Sequence, residues 1–220
     1  RRLLQRMQHS GHVPDAASYN AIAEGLARKG QRRNVDHWLE IMAKARMPPS
    51  QGFYSAAIQG CLGDGETKAA GDWIQRMVQD GLTPDRTAYN ALINFYARRG
   101  EVNMAVHWLN QMKATLPSLP NKRSYNAVIG SCALRGDAEQ AAFWFEQMQV
   151  SLMDPDVASY TSVISSFARQ GQVDSAASWL RKMTRARILP AVASYNAIID
   201  ACAKKADAQE AERWLQKMMR

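Results

Sequence analysis

The chain has 220 residues with 28 Lys+Arg against 20 Asp+Glu, a net charge of +8, and 46% hydrophobic and 8% aromatic residues. It is too apolar for a disordered chain, and no run approaches the roughly 18 consecutive apolar residues that a membrane helix needs. Three cysteines without a CxxC pair exclude a disulfide scaffold, while the basic balance favours an acidic partner, nucleic acid first.

In chain order the first predicted element is a helix in residues 1–15, where Leu3 and Met7 stand in the register of Trp38 and Met42. It reads as the second helix of a partial preceding unit. Six units are then expected, at 16–50, 51–85, 86–121, 122–156, 157–191 and 192–220. Their markers are Trp38, Trp73, Trp108, Trp144, Trp179 and Trp214, spaced 35, 35, 36, 35 and 35. Tyr19, Tyr54, Tyr89, Tyr125, Tyr160 and Tyr195 keep the same spacing, and so do the methionines from Met42 to Met218. A fixed period of this size is the signature of a solenoid, whose units bury their faces against their neighbours. Trp214 and Met218 end the chain on a second helix without a polar cap, so the sequence reads as a window of a longer array.

Each unit reads as two helices. In the third, Tyr89, Leu92, Ile93, Tyr96 and Ala97 fall at helical steps on one face. Val102, Ala105, Trp108, Leu109 and Met112 form a second such stripe. Gly100 between them is free to take the left-handed conformation that ends a helix. Pro84 stops the preceding direction and Asp85 is a good cap for the next helix. No segment alternates with period 2, so a strand reading fails. The expected fold class is all-α, a right-handed α-solenoid of tandem two-helix repeats.

No catalytic constellation emerges. Cys61, Cys132 and Cys202 share one place, seven residues after a tyrosine, on the buried stripe of a first helix. They read as small core residues rather than metal ligands. His37 and His107 precede tryptophans, His9 and His12 lie in a fragmentary turn, and no HExxH, nucleophile elbow or phosphate loop is present. Neither an enzyme nor a cofactor is expected, and the tryptophans read as packing between units.

A unit that opens Pro155-Asp156-Val157-Ala158-Ser159-Tyr160-Thr161 and closes Trp179-Leu180-Arg181-Lys182-Met183 resembles the pentatricopeptide repeat, across essentially the whole chain. The tetratricopeptide repeat, with period 34 and its tryptophan in the first helix, fits less well. The resemblance implies single-stranded RNA as partner, one nucleotide per unit, with the base chosen by the fifth and last residues of a unit. The fifth residues are Asn20, Ser55, Asn90, Asn126, Thr161 and Asn196; the last are Ser50, Asp85, Asn121, Asp156 and Ala191. By the family's code the pairs imply C, G, C and U, then a purine for Thr161 and a pyrimidine for Asn196. The second residues, Ala17, Gly52, Thr87, Arg123, Ala158 and Ala193, depart from the family's usual valine and offer less apolar surface to a base.

Two bland readings stand beside these. Short polar residues in a first helical turn serve as caps, so the fifth residues, Asp85 and Asp156 are candidates for capping alone. Arg28, Arg98, Arg169 and Lys204 recur near the ends of first helices, as do Lys29, Arg99, Arg135 and Lys205. They suit either the helix dipole or a track of phosphate contacts, which Gly63 and Asp64 interrupt in the second unit. The resemblance implies organellar RNA processing, stability or translation, in a mitochondrion or chloroplast. The rival reading is a scaffold subunit of a large assembly such as an organellar ribosome, touching protein or structured RNA.

Overall fold

The computed structural model describes residues 15–28, 32–116 and 120–219. The helix expected in residues 1–15, with Leu3, Met7, His9 and His12, lies outside the described residues apart from Asp15, which precedes the first helix. Twelve α-helices and no strand occur among the described residues. In order they are α1 (Ala16–Arg28), α2 (Arg32–Lys44), α3 (Gln51–Gly63), α4 (Thr67–Gln79), α5 (Arg86–Arg98), α6 (Val102–Thr115), α7 (Lys122–Arg135), α8 (Ala138–Val150), α9 (Val157–Arg169), α10 (Val173–Arg185), α11 (Val192–Lys204) and α12 (Ala208–Met218). None is long and apolar enough to cross a membrane. The helices fall into two compact units that divide within α5, one ending at Leu92 and the other beginning at Ile93.

In the first unit α1 pairs with α2 and α3 with α4, while α1 and α3 pack side by side. Their apolar stripes meet in a core of Trp38, Leu39, Met42, Phe53, Tyr54, Ile58, Trp73 and Met77. The Trp38 indole N–H donates to the Tyr19 carbonyl at 3.1 Å. Phe53 meets Trp73 edge to face at 5.7 Å, the geometry that ring quadrupoles favour.

The second unit repeats the scheme, with hairpins α7–α8, α9–α10 and α11–α12 and the first helices α7, α9 and α11 side by side. Trp144, Phe145, Tyr160, Trp179 and Trp214 are buried with Met148 and Met183. The tryptophan register is therefore core, as expected. The three cysteines are also buried. Burial and then the charge of Asp137 push the Cys132 thiol up to about 11, which leaves it unreactive at neutral pH.

The turns explain why the hairpins close. First helices end on left-handed Gly65, Gly100, Gly136 and Gly171, with Ala206 taking the same conformation in the last hairpin. Around Gly136, its N–H bonds the Ala133 carbonyl and the Asp137 N–H bonds that of Cys132, satisfying groups a helix end leaves open. Second helices end the same way, at Arg46, Gly81, Leu152 and Arg187. Three of these four are not glycine, and each stores the steric cost of a Cβ in this region. Leu152 is 95% exposed, so its side chain contributes no packing in return. Leu152→Gly should stabilise the chain by about 0.5–1 kcal/mol, read as a higher melting temperature; an unchanged or lower melt contradicts the strain.

Candidate nucleic-acid interface

The last residues of the units act as helix caps, as the bland reading held. Ser50 accepts the Phe53 N–H at 3.0 Å and Asp85 accepts the Ala88 N–H at 2.8 Å. Asn121 and Asp156 accept the N–H groups of Ser124 and Ser159, both at 3.1 Å, and each completes a reciprocal capping box. Ala191 opens α11 with extended backbone and no side-chain bond.

The fifth residues are not caps, and this corrects the placement expected for them. Each lies in the second turn, since the helices begin at Ala16, Gln51, Arg86, Lys122, Val157 and Val192. Three of them, Asn20, Asn126 and Thr161, bond groups at the start of the next first helix instead. Asn20 Oδ1 accepts the Ser50 N–H at 2.6 Å, while its amide donates to the carbonyls of Ala16 and Pro48. Asn126 Nδ2 donates to both carboxylate oxygens of Asp156 at 3.0 and 3.2 Å, and Ser159 Oγ donates to Asn126 Oδ1 at 2.6 Å. Thr161 Oγ1 lies 2.8 Å from Ser194 Oγ. Fifth and last residues are thus joined for Asn20 with Ser50 and Asn126 with Asp156. Thr161 bonds Ser194 rather than Ala191, Ser55 and Asn90 are half-buried, and Asn196 is exposed.

Burial raises the Asp156 carboxyl pKa, but the N–H of Ser159, the Asn126 amide, the Ser159 hydroxyl and the Lys122 charge outweigh it. The net effect holds this group below the usual carboxylate range. It is an anion with lone pairs to spare for a base.

In the second unit an open groove of about 450 Å³ runs between α9 and α11. It gathers Asn196, Arg169 and Lys204 with Ser165 and Asp200. Arg169 donates to the carbonyls of Ala133 and Leu134 at 3.1 and 3.3 Å, closing the C-terminus of α7 rather than of its own helix. The dipole interaction is real, but it is made to the preceding repeat. Its remaining donors and the Lys204 ammonium are exposed. Arg98 closes α5 exposed, and the Arg28 side chain and Lys29 lie outside the described ones. Arg99 is drawn over the Phe95 ring at 4.4 Å.

The second residues are all exposed. At Gly52 a Cβ would stand 2.5 Å from Glu24 Oε1, so that carboxylate takes the room a larger side chain would need. Sequence reasoning passed over Glu24 and Asp200, two carboxylates on the first helices, and the buried serines Ser159 and Ser194. The serines did leave a signal: Ser18, Ser124, Ser159 and Ser194 occupy one place in four units. Among the described residues no group of three or more His, Cys, Asp or Glu is placed to hold a metal ion.

Three family models match the chain: the PPR repeat family over residues 155–204, the pentatricopeptide repeat domain over 72–135, and the PPR repeat over 123–151 and 193–220. No match to a curated protein is found. The chain is similar to the crystal structure of the pentatricopeptide repeat protein PPR10 from maize, with TM-score 0.68 and 24% identity over 99% of this chain and 31% of that one. It is similar to the PPR domain of Arabidopsis thaliana protein-only RNase P 1 in complex with tRNA, with TM-score 0.60 and 18% identity over 73% of this chain and 84% of that one. PPR10 in complex with an 18-nt psaJ RNA element gives TM-score 0.53 and 19% identity over 97% and 42%. At these identities the likeness is one of fold, and the chain spans less than a third of the length of the maize protein first compared.

Proposed function

The chain belongs to the pentatricopeptide repeat family, and from that premise we propose that it binds single-stranded RNA, one nucleotide per repeat, in organellar RNA processing, stability or translation. The role is binding rather than chemistry. The observation that carries the reading is the line of short polar side chains, Asn126, Thr161 and Asn196, on the side-by-side helices α7, α9 and α11. The groove with Arg169 and Lys204 supports it, since a backbone track beside base-facing amides is what single strands require. The RNA complexes of the two similar proteins agree with it. The proposed contacts are Asn20 with Ser50, Ser55 with Asp85, Asn90 with Asn121, Asn126 with Asp156, Thr161 with Ala191, and Asn196, for the core C-G-C-U-purine-pyrimidine.

The experiment is a titration of that six-nucleotide RNA against a scrambled one, repeated over a range of salt. If Arg28, Arg98, Arg169 and Lys204 each meet a phosphate, log affinity falls against log salt with slope about −3, from roughly −0.7 per contact. Arg169→Gln then brings the slope back by about 0.7. A slope near zero removes the phosphate track, and equal affinity for both RNAs removes base reading.

One observation favours the second reading, a scaffold subunit touching protein in an assembly such as an organellar ribosome. Leu152 and Leu189, in the turns that end second helices, are 95% and 86% exposed. Stable co-purification with ribosomal particles that is lost in a Leu152→Lys/Leu189→Lys variant supports the scaffold; recovery of free RNA-bound protein supports the reader.

A further inference from the structure

Two fully buried serines of the second unit, Ser159 on α9 and Ser194 on α11, face the repeat before their own. Ser159 Oγ donates to Asn126 Oδ1 at 2.6 Å, across 33 residues of sequence, and Ser194 Oγ meets Thr161 Oγ1 at 2.8 Å across the same interval. We propose that the serine at the third place of a repeat is a positioning residue for the preceding repeat, setting which atom its fifth residue turns toward the nucleotide. The inference rests on the base-reading proposal above.

The hydrogen-bond geometry around Ser159 favours one arrangement. Its oxygen accepts the Asp156 N–H at 3.1 Å, which leaves its own proton and one lone pair. The nearest acceptor is Asn126 Oδ1 at 2.6 Å, with Asp156 Oδ1 further off at 3.0 Å. On the other side Asn126 Nδ2 faces both Asp156 oxygens. Turning the amide over would set Oδ1 against the Asp156 carboxylate, a repulsion in place of an attraction, and would leave the Ser159 proton only the more distant Asp156 Oδ1. The serine and the carboxylate therefore hold the amide together. The result is that Oδ1 is taken up by the Ser159 hydroxyl, and one Nδ2 hydrogen beside Asp156 is left for a base.

Thr161 has the Ser194 hydroxyl, where Asn126 has both a hydroxyl and a carboxylate. Its bond to Ser194 uses one side of the Thr161 oxygen and fixes where the other points. The second repeat has Phe53 at the third place, with no hydroxyl to offer. There Asn20 Oδ1 is held by the Ser50 backbone N–H at 2.6 Å, so the fixing device has shifted to the main chain. The plainer role of Ser159 is the capping box of α9, with a contact to Met148 Sδ at 3.7 Å. That role acts on helix stability and on all nucleotides alike.

The two roles separate by which nucleotide responds. The full chain and its Ser159→Ala, Ser159→Thr and Ser194→Ala variants are titrated with six-nucleotide RNAs varied only at the fourth or the fifth nucleotide, with a melt recorded for each protein. Ser159→Ala should lose about fivefold of the preference for uridine at the fourth nucleotide and none at the fifth, although Ser159 itself belongs to the fifth repeat. Ser194→Ala should act at the fifth nucleotide alone, and Ser159→Thr, which keeps the hydroxyl, should retain the parent preference. If Ser159→Ala does not fold, Ser159→Cys, similar in shape and a weak donor, carries the same expectation. Ser159→Ala melting lower but keeping the parent preference, or losing it at the fifth nucleotide instead, overturns the positioning role and leaves base reading standing. A parent chain without preference at any nucleotide overturns both.

Discussion

Trp179→Ala should destabilise the second unit by about 3–5 kcal/mol, the usual cost of deleting a large buried aromatic side chain. The site has little freedom to collapse. Trp179 is only 7% exposed and is enclosed by Phe145 at 4.9 Å, Tyr160 at 6.3 Å and Phe167 at 6.5 Å, on α8 and α9. Lys182 closes the outer side, its ammonium 4.2 Å from the ring centroid. These groups come from two hairpins, so the cavity opens where one repeat rests on the next. In an array whose stability is a sum of such interfaces, α9, α10 and α11 should lose hydrogen-exchange protection together. Trp179→Phe keeps most of the buried ring and should cost markedly less. Trp108→Ala on α6 carries the same expectation, Trp108 being buried with Leu109 and Met112. A melt unchanged by either alanine would contradict the assignment of the tryptophan register to the core.

That register was legible because burial repeats strictly: the same apolar places recur every 35 or 36 residues, and a helix keeps them on one face. Glycine and Asp85 marked their turns and caps for equally local reasons. The left-handed residues Arg46, Leu152 and Arg187 were not legible, because nothing in their type announces that conformation and the hairpin imposes it. The polar places divide along the same line. Ser50, Asp85, Asn121 and Asp156 cap the helix that follows, a bond over three residues that sequence reveals. The partners of Asn126, Thr161 and Arg169 lie 30 to 36 residues away, on or at the cap of a neighbouring first helix. A composition or a period cannot supply those contacts, and they decide what each side chain has left to offer a ligand.

The contrast between the fourth and fifth repeats yields the largest expected change in binding. The fourth presents Asn126 held by Asp156 and Ser159; the fifth has Thr161 and Ser194 but only Ala191 where the carboxylate would stand. Thr161→Asn combined with Ala191→Asp rebuilds the missing parts. Ala191 has φ −77° and ψ 157°, the extended backbone of a capping residue, so aspartate enters without strain and should cap α11 through the Ser194 N–H. That cap is worth about 1 kcal/mol. The Ser194 hydroxyl, already turned toward residue 161, is placed to hold an asparagine amide as Ser159 holds Asn126. The double variant should move the fifth nucleotide from a purine to uridine by about tenfold or more, within the 1–3 kcal/mol that a good base contact discriminates. The fourth nucleotide should be unaffected, and Thr161→Asn alone should move toward a pyrimidine by less. The added stability should also depend on pH with a definite sign. A capping carboxylate whose folded pKa is depressed, as that of Asp156 is, stabilises fully above the ordinary carboxylate range and loses that effect as pH falls through the depressed value. The melting advantage of the double variant should therefore be complete at neutral pH and lost at a strongly acid pH, below the depressed value. Short RNAs differing at one nucleotide, with melts at both pH values, decide the matter. An unchanged fifth-nucleotide preference overturns base reading by this repeat, and a melting advantage that persists in acid removes the carboxylate as its source.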